Sequence, residues 1–99
     1  MVTIQDQAVA TDRLRRALLA FQAALNLLLE AERRLKGLPQ AEVDAFWDGQ
    51  GRRVEATVRA DATEAVAAFQ QFSAAGLVAN ASDRHLVTQA QRYLAERVA

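Results

Sequence analysis

The chain has 99 residues, of which 52% are hydrophobic, and its 12 basic and 12 acidic side chains give zero net charge. The absence of cysteine excludes disulfide frameworks, thiolate metal sites and thiol catalysis. The charge balance argues against a nucleic-acid ligand, because binding to phosphate backbones draws on a net basic surface. The length fits one domain with one core. With a single histidine and no glycine-rich loop, the composition predicts no enzyme active site, no cofactor and no small-molecule substrate.

No segment predicts a cleaved signal peptide or a membrane span. The first residues have no basic region followed by an apolar one, as a secretory signal would require. Uninterrupted apolar stretches last only a few residues, far below the roughly 18–20 that cross a bilayer. We therefore expect a protein that is cytoplasmic when made and has no membrane span.

A heptad seam predicts a first helix over about residues 5–36. Its members alternate at spacings of four and three residues: Leu14, Leu18, Phe21, Leu25, Leu28, Glu32 and Leu35. Thr3 or Thr11 is the expected N-cap, and Gly37 with Pro39 ends the helix. Such a helix is about 40–50 Å long at ~1.5 Å per residue, so the fold must be elongated.

The rest of the chain predicts three further helices. A short one over about 40–48 follows Pro39, and the residues Asp48 to Gly51 after it predict a turn. A second long helix over about 52–75 has an apolar stripe made of Val54, Val58, Ala62 or Ala65, Val66, Phe69 and Phe72. A last helix over about 83–97, capped by Asn80 or Ser82, is expected to bury Leu86, Ala90, Tyr93 or Leu94, and Val98. The prediction is an all-α fold, an elongated antiparallel helical hairpin with an additional C-terminal helix.

The tripeptide Trp47-Asp48-Gly49 lies near the middle of this layout and is followed by Gly51. With two long amphipathic helices in about one hundred residues, it resembles the WxG-type (ESAT-like) family of small type VII secretion proteins. The resemblance implies that Trp47 and the two glycines form a hairpin tip. It also implies a role as a secreted substrate or as a targeting partner of a larger effector. Export would then proceed without a cleaved signal peptide. The apolar helix faces themselves predict a non-enzymatic function, in which two hairpins complete a four-helix bundle on dimerisation.

Three features differ from the family pattern. Pro39 and a short helical segment precede the tryptophan, where family members run directly from the first helix into the turn. Residues 76–83 interrupt what is usually one long second helix. The family's export signal is a tyrosine followed four residues later by an acidic residue, whereas here Tyr93 is followed by Glu96 at three and by Arg97 at four.

The leucine seam has two interpretations. It forms either an intramolecular core, or a stripe that packs the second helix with one edge and a partner subunit with the other. Leu19, Ala20, Ala24 and Leu27 lie beside the seam and widen it. The predicted interface and turn residues are Trp47, Gly49, Gly51, Leu14, Leu18, Phe21, Leu25, Leu28, Leu35, Phe69, Phe72 and Tyr93.

Other polar residues are better explained as solvated. His85 follows a helix cap, which favours a first-turn polar position over a catalytic or metal-binding one. Several helical carboxylates could suggest a two-metal site, but the Glu-x-x-His pair of such sites is missing, so no metal is expected. The function that remains is association with a protein partner through helix faces, as a homodimer or heterodimer. The alternative is a structural or adaptor subunit of a larger bacterial or phage assembly.

Overall fold

A computed structural model describes residues 1–97, and Val98, which was expected to be buried, lies outside the described residues. Four helices follow one another: α1 (Ile4–Leu35), α2 (Gln40–Asp48), α3 (Gln50–Ala74) and α4 (Ala81–Arg97). No strand occurs among the described residues, and the predicted all-α class is confirmed. The molecule measures 57 × 21 × 20 Å with a radius of gyration of 16.2 Å, compared with about 13 Å for a compact chain of this size.

Helix α1 begins at Ile4 because Thr3 and Asp6 form a capping box. The Asp6 amide donates to the Thr3 hydroxyl at 3.0 Å, and the Thr3 amide donates to the Asp6 carboxylate at 3.0 Å. Two backbone amides without helical partners are therefore satisfied, and Thr3 rather than Thr11 is the N-cap. Thr11 instead donates its hydroxyl to the Gln7 carbonyl within the helix, at 2.8 Å.

The end of α1 is a tight turn that requires a glycine. Lys36 has φ −61° and ψ 129°, Gly37 has φ +82°, and the Leu38 amide donates to the Leu35 carbonyl at 3.2 Å. These values describe a type II turn, whose third residue must have positive φ. Helix α2 begins directly after Pro39, which has no amide hydrogen to leave unpaired.

Helix α3 begins two residues and ends one residue before its predicted limits, and α4 begins before its predicted start. Gly76, at φ +80°, closes α3 in a Schellman motif. The Gly76 amide donates to the Ser73 carbonyl, and the Leu77 amide donates to the Phe72 carbonyl. Helix α4 begins at Ala81, two residues earlier than predicted. The cause is Asn80, whose side-chain oxygen accepts a hydrogen bond from the Asp83 amide at 2.8 Å.

The core lies between α1 and α3, with α4 packed mainly on α3. The α1 side supplies the larger side chains of this core, and the α3 side supplies mostly alanines. Its buried members are Ala10, Leu14, Ala17, Leu18, Phe21, Ala24 and Leu28 from α1, Val58, Ala62, Ala65, Ala68 and Phe72 from α3, Ala75 and Ala79 from the segment between α3 and α4, and Val87, Ala90 and Tyr93 from α4. On α4 the structure corrects one prediction. Val87 is buried, whereas Leu86, which was expected to be buried, is half-buried.

A two-bond ion pair joins α1 to α3 at the surface. The Arg13 guanidinium donates to both Glu64 carboxylate oxygens, at 2.7 and 2.8 Å, and to the Gln71 side-chain oxygen at 2.7 Å. The hydrogen bonds from Arg13 lower the pKa of Glu64 below its ordinary value. A carboxylate with a lowered pKa stabilises the fold above its unfolded-state pKa, and this stabilisation is lost as pH falls through the folded-state pKa.

We expect Glu64→Gln to cause a small loss of stability at pH 7, because both partners are partly exposed to water. The difference from the wild type should vanish at pH values below the pKa of Glu64, where the wild-type carboxyl is also neutral. Urea denaturation at several pH values measures this difference. Glu96→Gln, which removes an exposed carboxylate from α4, is the control and should show no comparable pH dependence. If the free energies of unfolding of the wild type and Glu64→Gln differ by the same amount throughout the acid range, the Arg13–Glu64 ion pair is not the source of the difference.

Candidate interaction surface

The predicted heptad seam of α1 is divided between the core and its edges. Leu14, Leu18, Phe21 and Leu28 are buried between the helices of this chain. Leu25 is half-buried and packs against that core, and Leu35, the last residue of α1, is also half-buried. Most of the seam is therefore already occupied within one copy. Sequence reasoning missed Ala10 and Ala17, although both lie four residues before a seam position and could have been found by counting backwards.

The residues that widen the seam have different surroundings. Ala24 is buried, but Ala20 is exposed, and the leucines Leu19 and Leu27 keep 62% and 60% of their surface in water. Both leucines thus project from the long helix into water, as Ile4, Val9 and Leu29 also do. Val78, in the segment between α3 and α4, is 85% exposed. The sequence offered no signal for Val78, because it lies outside every helical period.

The predicted residues on α3 and α4 lie mainly inside the fold. Phe72 is buried and Phe69 is half-buried against the core. Tyr93 is buried, and its hydroxyl donates to the Glu55 carbonyl at 3.3 Å, which ties α4 to the first part of α3. These three side chains contribute to holding the helices of one copy together.

Trp47, Gly49 and Gly51 come together where α2 meets α3. The rings of Phe46 and Trp47 meet edge to face, with centroids 5.1 Å apart at 83°. Gly51 is buried within α3, so the expected turn over 48–51 is confined to Gly49. A Cβ at Gly51 would lie 2.8 Å from the Phe46 ring and closer still to the Trp47 ring. Gly51 is therefore required for close packing, while Gly49 has negative φ and forms the junction between the helices.

We expect Gly51→Ala to destabilise the protein by about 1 kcal/mol. Crowding against the two rings costs about 1–3 kcal/mol, and the better helix propensity of alanine returns at most ~1 kcal/mol. Trp47 is the only tryptophan, so its fluorescence emission reports any displacement of the ring. Gln50→Ala, at the exposed neighbouring position, should leave both the emission and the stability near those of the wild type. An unchanged emission and a gain of stability for Gly51→Ala would show that the rings do not close over residue 51.

The remaining polar candidates form no cluster. His85 is exposed on α4. Glu30 pairs with Arg34 one turn later, at 2.7 Å. Among residues 1–97, no group of three or more histidine, aspartate or glutamate side chains is placed to hold a metal ion. No helix in the same range is long and apolar enough to cross a membrane.

Comparison of the chain with known protein families, with curated proteins and with solved structures found no match.

Proposed function

We propose that this chain is a non-enzymatic helical interaction protein that binds a protein partner through its helix faces. The observation that carries the proposal is the exposure of large apolar side chains, Leu19 above all, on a helix in which Leu14 and Leu18 already fill the core. Large apolar side chains in contact with water cost free energy, and their burial by a partner would recover it. Association as a homodimer or heterodimer would cover such side chains on the side of α1 that contacts the partner.

The more specific form of the proposal follows from Trp47-Asp48-Gly49. Under it, α1 and α3 form an elongated antiparallel hairpin that completes a four-helix bundle on dimerisation. The chain would then act as a secreted or effector-targeting partner in a type VII-like system. The packing of Phe46 and Trp47 over Gly51 supports a structural role for this motif. Export without a cleaved signal peptide is part of this form of the proposal.

A second candidate is a structural or adaptor subunit of a larger bacterial or phage assembly. The observation that favours it is the position of Tyr93, which is buried between α4 and α3. A tyrosine used as an export signal would have to be accessible to its receptor, whereas this side chain helps to hold α4 in place. In such a subunit, α4 would be a permanent part of the folded body.

Native mass measurement of the complex purified from the protein's own cells tests the proposal and separates the two forms. A defined complex containing one or two copies of the 10.8 kDa chain, alone or with one partner, supports the dimer form. A ring or a higher-order assembly supports the structural subunit. Recovery of only the free chain, at every concentration tested, contradicts the interaction proposal itself.

A further inference from the structure

An open groove runs between the first half of α1 and the beginning of α4. It encloses about 640 Å³. Its apolar lining comes from α1, from the end of α3, from the segment before α4 and from α4 itself, namely Leu14, Leu18, Leu19, Phe72, Val78 and Leu86. Leu19 and Val78 project from its border into water. The surface therefore carries both an apolar depression and apolar side chains that stand out from it.

Two charges of opposite sign stand in the same groove. Arg15 lies on the α1 wall and Asp83 on the α4 wall. Within residues 1–97, neither side chain makes an ion pair, whereas the neighbouring Arg13 and Arg16 are paired with Glu64 and Asp12. The groove thus holds one unpaired charge of each sign beside its apolar lining.

The opposite side of α1 is less suited to association. The Arg13–Glu64 ion pair bridges α1 and α3 there and keeps the middle of that side polar. The depression around Leu27 is smaller, at about 390 Å³, and is lined by the polar side chains of Gln50, Arg53 and Thr57 as well as by apolar ones. The α1–α4 groove is the larger of the two, and it is bordered by two exposed apolar side chains, Leu19 and Val78, instead of one.

We propose that the groove is occupied by a second copy of this chain, related by a two-fold axis. This inference rests on the proposed interaction function and names its partner. A two-fold interface uses the same patch on both copies, so a patch must complement itself. Here Leu19 and Val78 of each copy enter the groove of the other, and each Arg15 meets the Asp83 of the partner copy. The zero net charge of the chain adds no overall repulsion between identical copies.

The exposed area of the monomer fits this arrangement. The chain exposes 6687 Å², whereas a compact monomer of its mass would expose about 5,500 Å². The excess of roughly 1,100 Å² exceeds the ~800 Å² that each partner buries in a standard interface. One two-fold contact along the groove would therefore bring the exposed surface per copy into the range of compact proteins.

Sedimentation equilibrium of the full chain tests the proposal. The wild type should sediment as a dimer of twice the 10.8 kDa chain mass at micromolar concentration. Leu19→Glu should raise the dimer dissociation constant by about 100-fold, because the two-fold axis places each substitution in the interface twice. Leu27→Glu is the matched control, with the same side chain, the same helix and nearly the same exposure, and it should leave the constant within a few-fold of the wild type.

Charge reversal adds a test that does not depend on the apolar contact. Arg15→Glu should weaken the dimer at least tenfold. The variant carboxylate faces Asp83 of the other copy, and the two-fold axis repeats this repulsion on its other side. Combining it with Asp83→Arg should recover most of the wild-type affinity, and circular dichroism checks that all variants remain helical. Failure of the double variant to recover the affinity would contradict the pairing of Arg15 with Asp83.

The outcomes separate this inference from the function on which it rests. A monomeric wild type, or a dimer that Leu27→Glu dissociates and Leu19→Glu does not, overturns the groove dimer. If the complex from native cells then contains a different protein, the interaction function stands without this partner. If that complex is also absent, both proposals fail.

Discussion

Replacing Phe21 with alanine is expected to lower the free energy of unfolding by about 3–5 kcal/mol, a large part of the ~5–15 kcal/mol that stabilises a domain of this size. Phe21 has 0% of its surface exposed and is among the largest fully buried side chains of the chain. The α3 residues in the same core are mostly alanines, including Ala62 and Ala65. Alanine has no side-chain rotamers with which to refill a cavity, so the upper part of the range is expected.

Chemical denaturation followed by circular dichroism measures the effect of Phe21→Ala, at one fixed protein concentration so that any association is held constant. Gln22→Ala introduces the same residue at the next, exposed position of α1. It should change the free energy of unfolding by less than about 0.5 kcal/mol. A loss below ~1 kcal/mol for Phe21→Ala would mean that α1 and α3 do not enclose this ring.

A second large effect is expected for Leu28→Ala, with a loss of about 2–5 kcal/mol. Leu28 is 1% exposed in the core near the end of α1, whereas the adjacent Leu27 is 60% exposed. Leu27→Ala removes the same atoms from the same helix and should cost less than about 1 kcal/mol. The pair therefore separates the core face of α1 from its outer face at neighbouring residues.

The same denaturation measurements, made at low and high protein concentration, extend this test to association. The difference between Leu28→Ala and Leu27→Ala should be the same at both concentrations, because the groove proposed for the second copy lies on the other side of α1. Equal losses for the two variants would show that Leu27 is covered as well as Leu28. A loss for Leu27→Ala that grows with concentration would place the partner on the α3 side.

The periodicity of α1 predicted much of the core. Alternating spacings of four and three residues place side chains on one face of any helix, whatever the helix later packs against. Leu14, Leu18, Phe21 and Leu28 are accordingly buried. The periodicity could not show which neighbour would cover that face, because an intramolecular and an intermolecular core have the same pattern along one helix.

The junction at Trp47 shows a different limit. Two glycines within three residues predict a turn that includes both of them. Only Gly49 forms the junction, while Gly51 lies inside α3 beneath the rings of Phe46 and Trp47. A glycine can be required for its backbone conformation or for its lack of a side chain. The sequence does not show which of the two reasons applies, because the answer depends on the residues packed around the glycine.

The candidate interaction surface depended most on the tertiary structure. Leu19 could be placed beside the seam from its position in α1, but Val78 lies in an irregular segment with no period to interpret. The groove forms because the chain reverses direction between the Schellman turn at Gly76 and the N-cap at Asn80, so that α4 packs on α3. Arg15 and Asp83 are 68 positions apart along the chain and line one groove only after that return.

By itself the sequence determined the helical class, the elongated form and the face of α1 that carries the core. These properties follow from composition and from local spacing, which act within one helix. The tertiary structure decided which leucines stay in water, where α4 lies and which glycine is packed. Those properties depend on contacts between residues distant in the chain, and no local period encodes them.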